Sequence, residues 1–235
     1  MVSASIKSTE IRFGECNKKL LEEVIFYGIS LGADFVELFI ENSDNSSVLA
    51  EEDFITSVSP SFGKGAGIRI FKDKRDGFVS TNDLSKHGLM RSISQAIEML
   101  DISKKNNNSN FNGLDKLKDY SKSKIDWLNE VPTINEVSEK LLLSTKSLKK
   151  DKKVVVRKGS YARNWQEVII ASSDGTYATD IRLHQTVGLN IIANDAQYRS
   201  NGSRRFGSHG IPNEFRLWDH EKAANEVYET SMNML

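Results

Sequence analysis

The sequence predicts an α+β fold, with mostly antiparallel sheets, flanking helices and two related sub-blocks. The clearest observation is the segment Ile181–Ile191, where apolar residues occupy every odd position except Gln185 and every even position is polar or glycine. Such alternation is typical of a strand with one buried face. Turn signals at Asp174-Gly175 and Asn194-Asp195 flank it. Hairpins this short cannot make parallel crossovers, so the sheet must be largely antiparallel.

The first sub-block, residues 1–102, opens with a helix. Its apolar positions recur at helical spacing between Leu20 and Leu31, and Gly32 follows as a left-handed terminator. We expect two strands next, at Asp34–Glu41 and at Ser47–Ser59, with Pro60 ending the second.

A hairpin and a second helix complete the first sub-block. The strands Gly65–Phe71 and Gly77–Thr81 flank a polar segment in which Asp76-Gly77 is the turn signal. The helix that follows carries an apolar face from Leu89 to Leu100, and Asp83 is its expected N-cap.

Residues 103–130 separate the two sub-blocks. They are dominated by Asn, Ser and Lys, a composition that buries too little apolar surface to offset the entropy lost on ordering. We expect a surface linker or loop there.

The second sub-block, residues 131–235, again begins with a helix and continues into strands. Thr133 and Glu136 form a capping-box signature. Asp219 can cap a last helix that ends on the apolar residues Met234 and Leu235. That ending predicts either a chain cut from a longer polypeptide or a frayed helix docked on its own domain.

Composition narrows the class of protein. The 235 residues are 38% hydrophobic and carry 32 Lys+Arg against 32 Asp+Glu, so the formal net charge is zero. A phosphate-backbone binder usually has a basic excess, which disfavours nucleic acid as a partner. No apolar run is long enough for a membrane helix, and the N-terminus has no secretory apolar region. A single cysteine excludes an internal disulfide and favours the cytoplasm.

Catalytic and metal-binding candidates are few. No pair among the histidines has ligand spacing; they are His87, His184, His209 and His220. Cys16 is expected to be a small buried thiol, although a helix start would favour its thiolate. The neighbouring acids Glu51, Glu52 and Asp53 would alternate faces along a strand, so we expect a solvated edge there. No catalytic and no metal-binding residue is therefore assigned.

Two glycine-rich stretches are candidate binding sites. Gly63-Lys64-Gly65-Ala66-Gly67 precedes a strand instead of opening a helix, which argues for close backbone packing and against a phosphate cradle. In the second stretch, which we expect to be a loop, two guanidinium groups could hold a carboxylate or phosphate. The candidate binding residues there are Arg204, Arg205, Phe206 and Gly207. An ordinary exposed loop is the competing interpretation.

An ordered set of short motifs resembles the N-terminal half of the TldD/PmbA family, zinc metallopeptidases also described as modulators of DNA gyrase. The motifs are Leu31–Leu38, Gly65–Arg69 with Asp76–Phe78, Ile170–Thr176 with Asp180–Arg182, and Arg205–Gly207. The Ser-Asp-Gly-Thr and Arg-Phe-Gly segments resemble TldD more than its partner PmbA, also called TldE.

The resemblance implies a TldD-type subunit that acts with a PmbA/TldE-type partner, as a heterodimer, on unfolded peptides threaded into a chamber. It also implies zinc, held by an HExxxH motif in the C-terminal half of the full-length protein. That motif does not occur in these 235 residues, so no cofactor is assigned to this chain. The expected function is the N-terminal portion of such a metallopeptidase, a scaffold without activity of its own. The alternative is a non-catalytic peptide- or partner-binding module; a DNA-associated regulator is the weakest reading, given the balanced charge.

Overall fold

A computed structural model describes residues 13, 16–101, 111–120, 130–148, 151–210 and 214–235. The helices are α1 Lys18–Ser30, α2 Lys86–Met99, α3 Ile134–Ser147, α4 Glu214–Leu217 and α5 His220–Asn233. The strands are β1 Phe35–Glu51, β2 Phe54–Lys72, β3 Arg75–Thr81, β4 Lys118–Asp119, β5 Val154–Ser172, β6 Tyr177–Asn194 and β7 Arg199–His209.

The strands form one sheet in the order β3-β2-β1-β5-β6-β4, with β7 also paired to β6. The pairs β2–β3 and β6–β7 are antiparallel, and the two-residue pair β4–β6 is parallel. Strand β1 runs antiparallel to β5, because Ser173 N–H donates to Val36 at one end and Glu52 N–H donates to Arg157 at the other. The mostly antiparallel α+β class predicted from the sequence is confirmed.

The chain divides into two compact units. Unit 1 comprises residues 1–43, 63–121 and 166–181, and unit 2 comprises residues 44–62, 122–165 and 182–235. Each unit therefore takes residues from three separate segments of the chain.

In unit 1, helices α1 and α2 pack on strands around one apolar core. Asn17 caps α1 by accepting from Leu20 N–H, and Gly32 follows the helix with φ 106°, as predicted. Gly28 lets α1 approach its neighbours: a Cβ there would lie 2.8 Å from a Val36 methyl carbon and 3.3 Å from one of Ile93. A larger residue would force the helices and sheet apart.

The β2–β3 hairpin of unit 1 is present, but its predicted turn was wrong. Lys72 pairs with Arg75, so the turn is Asp73-Lys74, and Gly77 lies within β3 opposite Ile70. The Asp34 carboxylate accepts from Asp73 N–H at 2.8 Å and from Lys72 Nζ at 2.8 Å. This long-range contact fixes the turn at Asp73-Lys74, N-terminal to the local signal at Asp76-Gly77.

The predicted cap of α2 was also wrong. Ser85, not Asp83, is the N-cap, and its hydroxyl accepts from Gly88 N–H at 3.1 Å. Asp83 instead accepts from Ser85 N–H at 3.1 Å, in the turn before the helix. Both residues have the short polar side chain that caps require, so local sequence did not distinguish them.

The predicted strand boundaries around Pro60 were wrong as well. Strand β1 runs without a break from Phe35 to Glu51, and β2 passes through Pro60. The pairing of β2 with β3 begins only at Ala66. Pro60 therefore lies where one side of β2 has no β3 partner, and an edge of this kind tolerates a residue without an N–H donor.

Of the described residues in the predicted linker, 111–120 belong to unit 1 and residue 130 belongs to unit 2. The Leu114 side chain is buried in the unit 1 core, and its N–H donates to Glu22 Oε1 at 3.0 Å. Residues 118–119 form β4. The rest of the predicted linker, residues 103–110 and 121–129, lies outside the described residues.

In unit 2, helices α3, α4 and α5 pack on the sheet through two apolar clusters. The predicted capping box of α3 is confirmed: Thr133 accepts from Glu136 N–H, and Glu136 accepts from Thr133 N–H. These hydrogen bonds, led by the one from Thr133 N–H, lower the pKa of Glu136. Asp219 caps α5 as predicted, accepting from Lys222 N–H at 3.0 Å.

The side chains of Glu51, Glu52 and Asp53 are part-exposed, as expected of a solvated edge, but the predicted alternation of their faces was wrong. Glu52 and Asp53 form the turn between β1 and β2, with Glu52 in the left-handed region at φ 54°. Both carboxylates bind the buried guanidinium of Arg157. Because both residues lie in the turn, their carboxylates point toward the same guanidinium. In a strand, two consecutive side chains would point to opposite faces.

Candidate functional site

The helices of unit 2 cover one face of its sheet. Their clusters contain the buried residues Ala50, Tyr161, Val187 and Leu189, which share that face. Neighbouring positions on the same strands point the other way and are exposed, including Leu49 at 45% and Val58 at 45%. Among the described residues of unit 2, no helix packs on this second side, which we call the open face.

Strand alternation divides the four candidate binding residues between the two faces. The segment is not the loop predicted from the sequence, because it forms β7, which pairs with β6 over the whole length from Arg199 to His209. Arg204 and Phe206 lie opposite Leu189 and Val187, on the helix side. Arg205 and Gly207 lie opposite Gly188 and Thr186, on the open face.

Arg204 is engaged on the helix side. Its Nε lies 3.1 Å from Glu226 Oε2 on α5, and its guanidinium carbon lies 5.8 Å from the Phe206 ring centroid. The Phe206 ring in turn packs 5.5 Å from the Trp218 ring. These contacts attach β7 to α5 and leave Arg204 poorly placed to bind a second anion.

Arg205 faces a hollow of about 570 Å³ in unit 2. The hollow is also lined by Thr56, Lys158, Ser160, Gly188 and Asn190. A Cβ on Gly188 would lie 2.8 Å from Ser160 Oγ and 4.0 Å from Arg205 Nε. The missing side chain at Gly188 therefore lets Ser160 Oγ approach the strand, and the guanidinium of Arg205 lies beside it.

The charges around this hollow favour an anion beside Arg205. Lys158 is paired with Glu51 at 3.2 Å. In the part of the chain that the structure describes, no acidic side chain pairs with Arg205. A guanidinium with its donors available binds carboxylate or phosphate well. The neighbouring hydroxyl and amide groups can donate or accept, but nothing in the hollow is a nucleophile activated by a base.

The glycine-rich segment of unit 1 is structural, as predicted. A Cβ on Gly63 would lie 2.8 Å from Ser43 Oγ, and one on Gly67 would lie 3.0 Å from the Phe78 ring. Both residues are part of β2. Their small size allows neighbouring side chains to cross the strand closely, and no helix begins there to bind phosphate.

Cys16 is the buried thiol that the sequence predicted. It is fully buried in the unit 1 core, and its Sγ donates to the Leu84 carbonyl at 3.3 Å. A thiol in this position is not accessible to a substrate.

One arrangement was missed by the sequence analysis: His184 and His209 are directly opposite each other on β6 and β7. Their Nδ1 atoms are 3.2 Å apart on the open face, although the residues are 25 positions apart in sequence. The signal was available in principle, because counting the register outward from the Asn194–Arg199 pair reaches His184 and His209. Spacing rules for metal ligands examine helices and short loops, and therefore overlooked a cross-strand pair.

The described residues do not fit the catalytic zinc that the resemblance implies. Within those ranges, no group of three or more His, Cys, Asp or Glu side chains could hold a metal ion. A catalytic zinc ordinarily has three protein ligands and one open position. Separately, none of the described helices is long and apolar enough to cross a membrane.

Two family models match the chain in order. The model of PmbA/TldA metallopeptidase domain 1 matches residues 36–100, and that of the PmbA/TldA metallopeptidase central domain matches residues 124–235. Together they cover most of the sequence.

Individual relatives agree with these matches. A metalloprotease TldD homolog of Haemophilus influenzae is 23% identical over 198 residues, which is 83% of this chain and 39% of that protein. The chain spans between 36% and 40% of the length of the curated relatives it matches.

Solved structures share the fold. A Thermotoga maritima protein described as a candidate modulator of a DNA gyrase superposes with a TM-score of 0.72 at 16% identity, covering 91% of this chain and 47% of that one. TldE from Thermococcus kodakarensis gives a TM-score of 0.69 at 19% identity, again covering 91% and 47%. With both domain models matched in sequence order and the same fold in these structures, the chain belongs to the PmbA/TldD family.

Proposed function

We propose that this chain is the N-terminal portion of a TldD-like metallopeptidase. In this role it supplies scaffold, contacts to a PmbA/TldE-type partner and part of the chamber that holds an unfolded peptide. The support is the match of both family domains, together with the metalloprotease names of relatives that are about twice as long. Zinc and its general base would come from sequence outside these residues. The single cysteine supports the cytoplasm as the compartment.

The observation that carries the peptide-binding part of this proposal is the outer edge of β7. Among the described strands, β7 pairs only with β6. Gly210 N–H donates to the Leu183 carbonyl, so the even-numbered residues of β7 direct their N–H groups toward β6 and the odd-numbered ones direct theirs outward. Asn201, Ser203, Arg205 and Gly207 thus offer a row of main-chain donors and acceptors.

An extended peptide can join such an edge through main-chain hydrogen bonds, which need little sequence specificity. The Arg205 guanidinium lies on the open face beside the same edge and would bind a carboxylate of that peptide. The two features together favour an unfolded polypeptide as the ligand. Arg204, Phe206 and Gly207 would then support the strand, and Arg205 would be the residue that binds charge.

A proline substitution tests this binding mode. Ser203→Pro removes one outward N–H and leaves the hydrogen bonds to β6 in place, because the Ser203 N–H does not face β6. Ser203→Ala is the matched control. With a fluorescein-labelled unstructured peptide, we expect the anisotropy titration of the control to match wild type and that of Ser203→Pro to shift at least ~10-fold toward weaker binding. Equal binding by both variants would exclude strand addition at β7.

The partner is tested separately. Co-expression of the chain with a tagged PmbA/TldE-type subunit should give a complex that co-elutes in size-exclusion chromatography. Support comes from the shared fold, since the TldE structure covers 91% of this chain. The proposed partnership would be contradicted if neither this chain nor the full-length protein formed a complex with that subunit.

The second candidate function is a non-catalytic peptide- or partner-binding module. It is favoured because, among the described residues, no group of three or more His, Cys, Asp or Glu side chains could hold a catalytic metal ion. The DNA sequence downstream of the Leu235 codon discriminates the two: a reading frame continuing into HExxxH supports the metallopeptidase, and a stop codon supports the module. Hydrolysis of a denatured polypeptide by the 235-residue chain alone would contradict both.

A further inference from the structure

The open face of unit 2 carries two imidazole rings that share no role in the proposed peptide binding. His184 and His209 are cross-strand partners, both exposed, with ring centroids 4.3 Å apart and planes tilted by 46°. Their Nδ1 atoms approach to 3.2 Å. Directly opposed residues on an antiparallel pair have their Cβ atoms fixed by the ladder, so both rings are held close together by backbone that is already ordered.

The distance between the two Nδ1 atoms is close to the separation of two imidazole nitrogens that bind the same metal ion. Zinc binds imidazole nitrogen at about 2.0–2.1 Å in tetrahedral geometry, which places two such nitrogens about 3.3–3.4 Å apart. The observed 3.2 Å differs from this by one or two tenths of an ångström. Binding one ion requires both rings to rotate until their lone pairs converge on a point off the line between the two nitrogens.

We propose that His184 and His209 form a two-histidine site for a divalent first-row transition-metal ion, bound through both Nδ1 atoms. Water fills the remaining positions. Imidazole is a ligand suited to zinc, copper and nickel, and ill suited to magnesium or calcium, which require oxygen. The site joins β6 to β7 near the end of the hairpin.

The surroundings are consistent with neutral imidazole. Partial burial, followed by electrostatic effects of His209 and Arg182, lowers the pKa of His184. Only a neutral imidazole can act as a metal ligand. The hollow that adjoins His184 is lined by polar side chains, among them Asn45, Ser47 and Asn164, which can order the remaining waters. Arg163 also lines it, with its guanidinium paired to Asp44 at 2.9 Å. The charge of Arg182 opposes a cation, so two protein ligands here give a modest affinity.

The competing interpretation is a hydrogen bond between two neutral rings without a metal. Isothermal titration calorimetry distinguishes the metal site from the metal-free hydrogen bond. The 235-residue chain is titrated at pH 7.5 with Zn²⁺, Cu²⁺ and Mg²⁺ in turn. We expect one ion per chain, bound more tightly for Cu²⁺ than for Zn²⁺ and undetectably for Mg²⁺. Single substitutions His184→Asn and His209→Asn should each weaken Zn²⁺ binding at least ~10-fold. The exposed His87 supplies the control His87→Asn, which should bind as wild type does.

A second readout does not depend on calorimetric heats. An ion that binds only the folded state raises the unfolding temperature, by an amount that grows with the logarithm of its free concentration above the dissociation constant. Zn²⁺ should therefore raise the melting temperature of wild type and of His87→Asn, and should not raise that of the double variant His184→Asn/His209→Asn. Circular dichroism without metal confirms that each variant is folded. Zinc binding that is unchanged in the double variant, or absent from wild type, would overturn the proposal.

Discussion

Arg157 is buried in unit 2 and bound on two sides by Glu52. Its Nε donates to Glu52 Oε2 at 2.8 Å, and its backbone N–H donates to Oε1 of the same carboxylate at 2.9 Å. The guanidinium also donates to the Thr145 carbonyl at 3.2 Å. This one side chain thus links the β1–β2 turn, strand β5 and helix α3 within unit 2.

The first prediction concerns the loss of that carboxylate. Glu52→Gln leaves a buried cation beside a neutral amide, so we expect the free energy of unfolding to fall by about 1–3 kcal/mol. Glu51→Gln is the matched control, because its pair with Lys158 is half exposed on both sides and such pairs contribute about 0–1 kcal/mol. Urea denaturation measures both. Equal losses from the two variants would contradict the central role of Glu52.

The second prediction concerns Tyr161, whose hydroxyl donates to Gln185 Oε1 at 2.9 Å. Gln185 was the one polar residue among the apolar positions of its strand, and this bond satisfies it in the core. Tyr161→Phe should reduce the free energy of unfolding by about 1 kcal/mol at pH 7.

The same residue predicts a pH dependence. Burial raises the pKa of Tyr161 from 10.0 to about 12. Because the folded-state pKa is the higher one, its contribution to stability is fully present below pH 10 and is lost as the pH rises toward 12. As the pH rises from 9 to about 11.5, the stability difference between wild type and Tyr161→Phe should therefore shrink and then reverse. A difference that stays constant would show that the phenol is solvated.

The third prediction concerns the contact between β7 and α5. A Cβ on Gly202 would lie 2.3 Å from the Val227 carbonyl oxygen, which is backbone and cannot move aside cheaply. Gly202→Ala should lower the free energy of unfolding by about 1–3 kcal/mol through overpacking. Gly207→Ala is the control on the same strand, since its nearest neighbours would be 3.4 and 3.5 Å away. We expect its melting temperature to stay close to that of wild type.

The fourth prediction concerns the β5–β6 turn at low pH. Hydrogen bonds from the Ser172 hydroxyl and then from Thr176 N–H lower the pKa of Asp174 below 3.8. The folded-state pKa is the lower one, so the stabilisation is present above pH 3.8 and is lost as the pH falls through the folded-state value. Asp174→Ala should cost about 1 kcal/mol at pH 7 and clearly less at pH ~2.5, measured by urea denaturation. A cost independent of pH would assign the effect to backbone conformation alone.

Local patterns predicted much of this fold. The alternation over Ile181–Ile191, the capping box at Thr133 and Glu136, and the left-handed Gly32 all depend on neighbours within a few residues. For the α2 cap the sequence predicted Asp83 and the structure has Ser85, because both side chains satisfy the same local requirement. Pro60 shows the same limit, because a proline ends a central strand and is tolerated at an edge.

By itself, the sequence determined the α+β class, the faces of its helices and strands, and the resemblance to the family. Only the tertiary structure decided which side chains meet. The β6–β7 register brought His184 to His209. The pairing of residues 199–209 as a strand, where a loop was expected, placed Arg204 and Arg205 on opposite faces. The physical reason is that pairing register is set by hydrogen bonds and packing between distant segments, whereas periodicity and capping are set by neighbours along the chain.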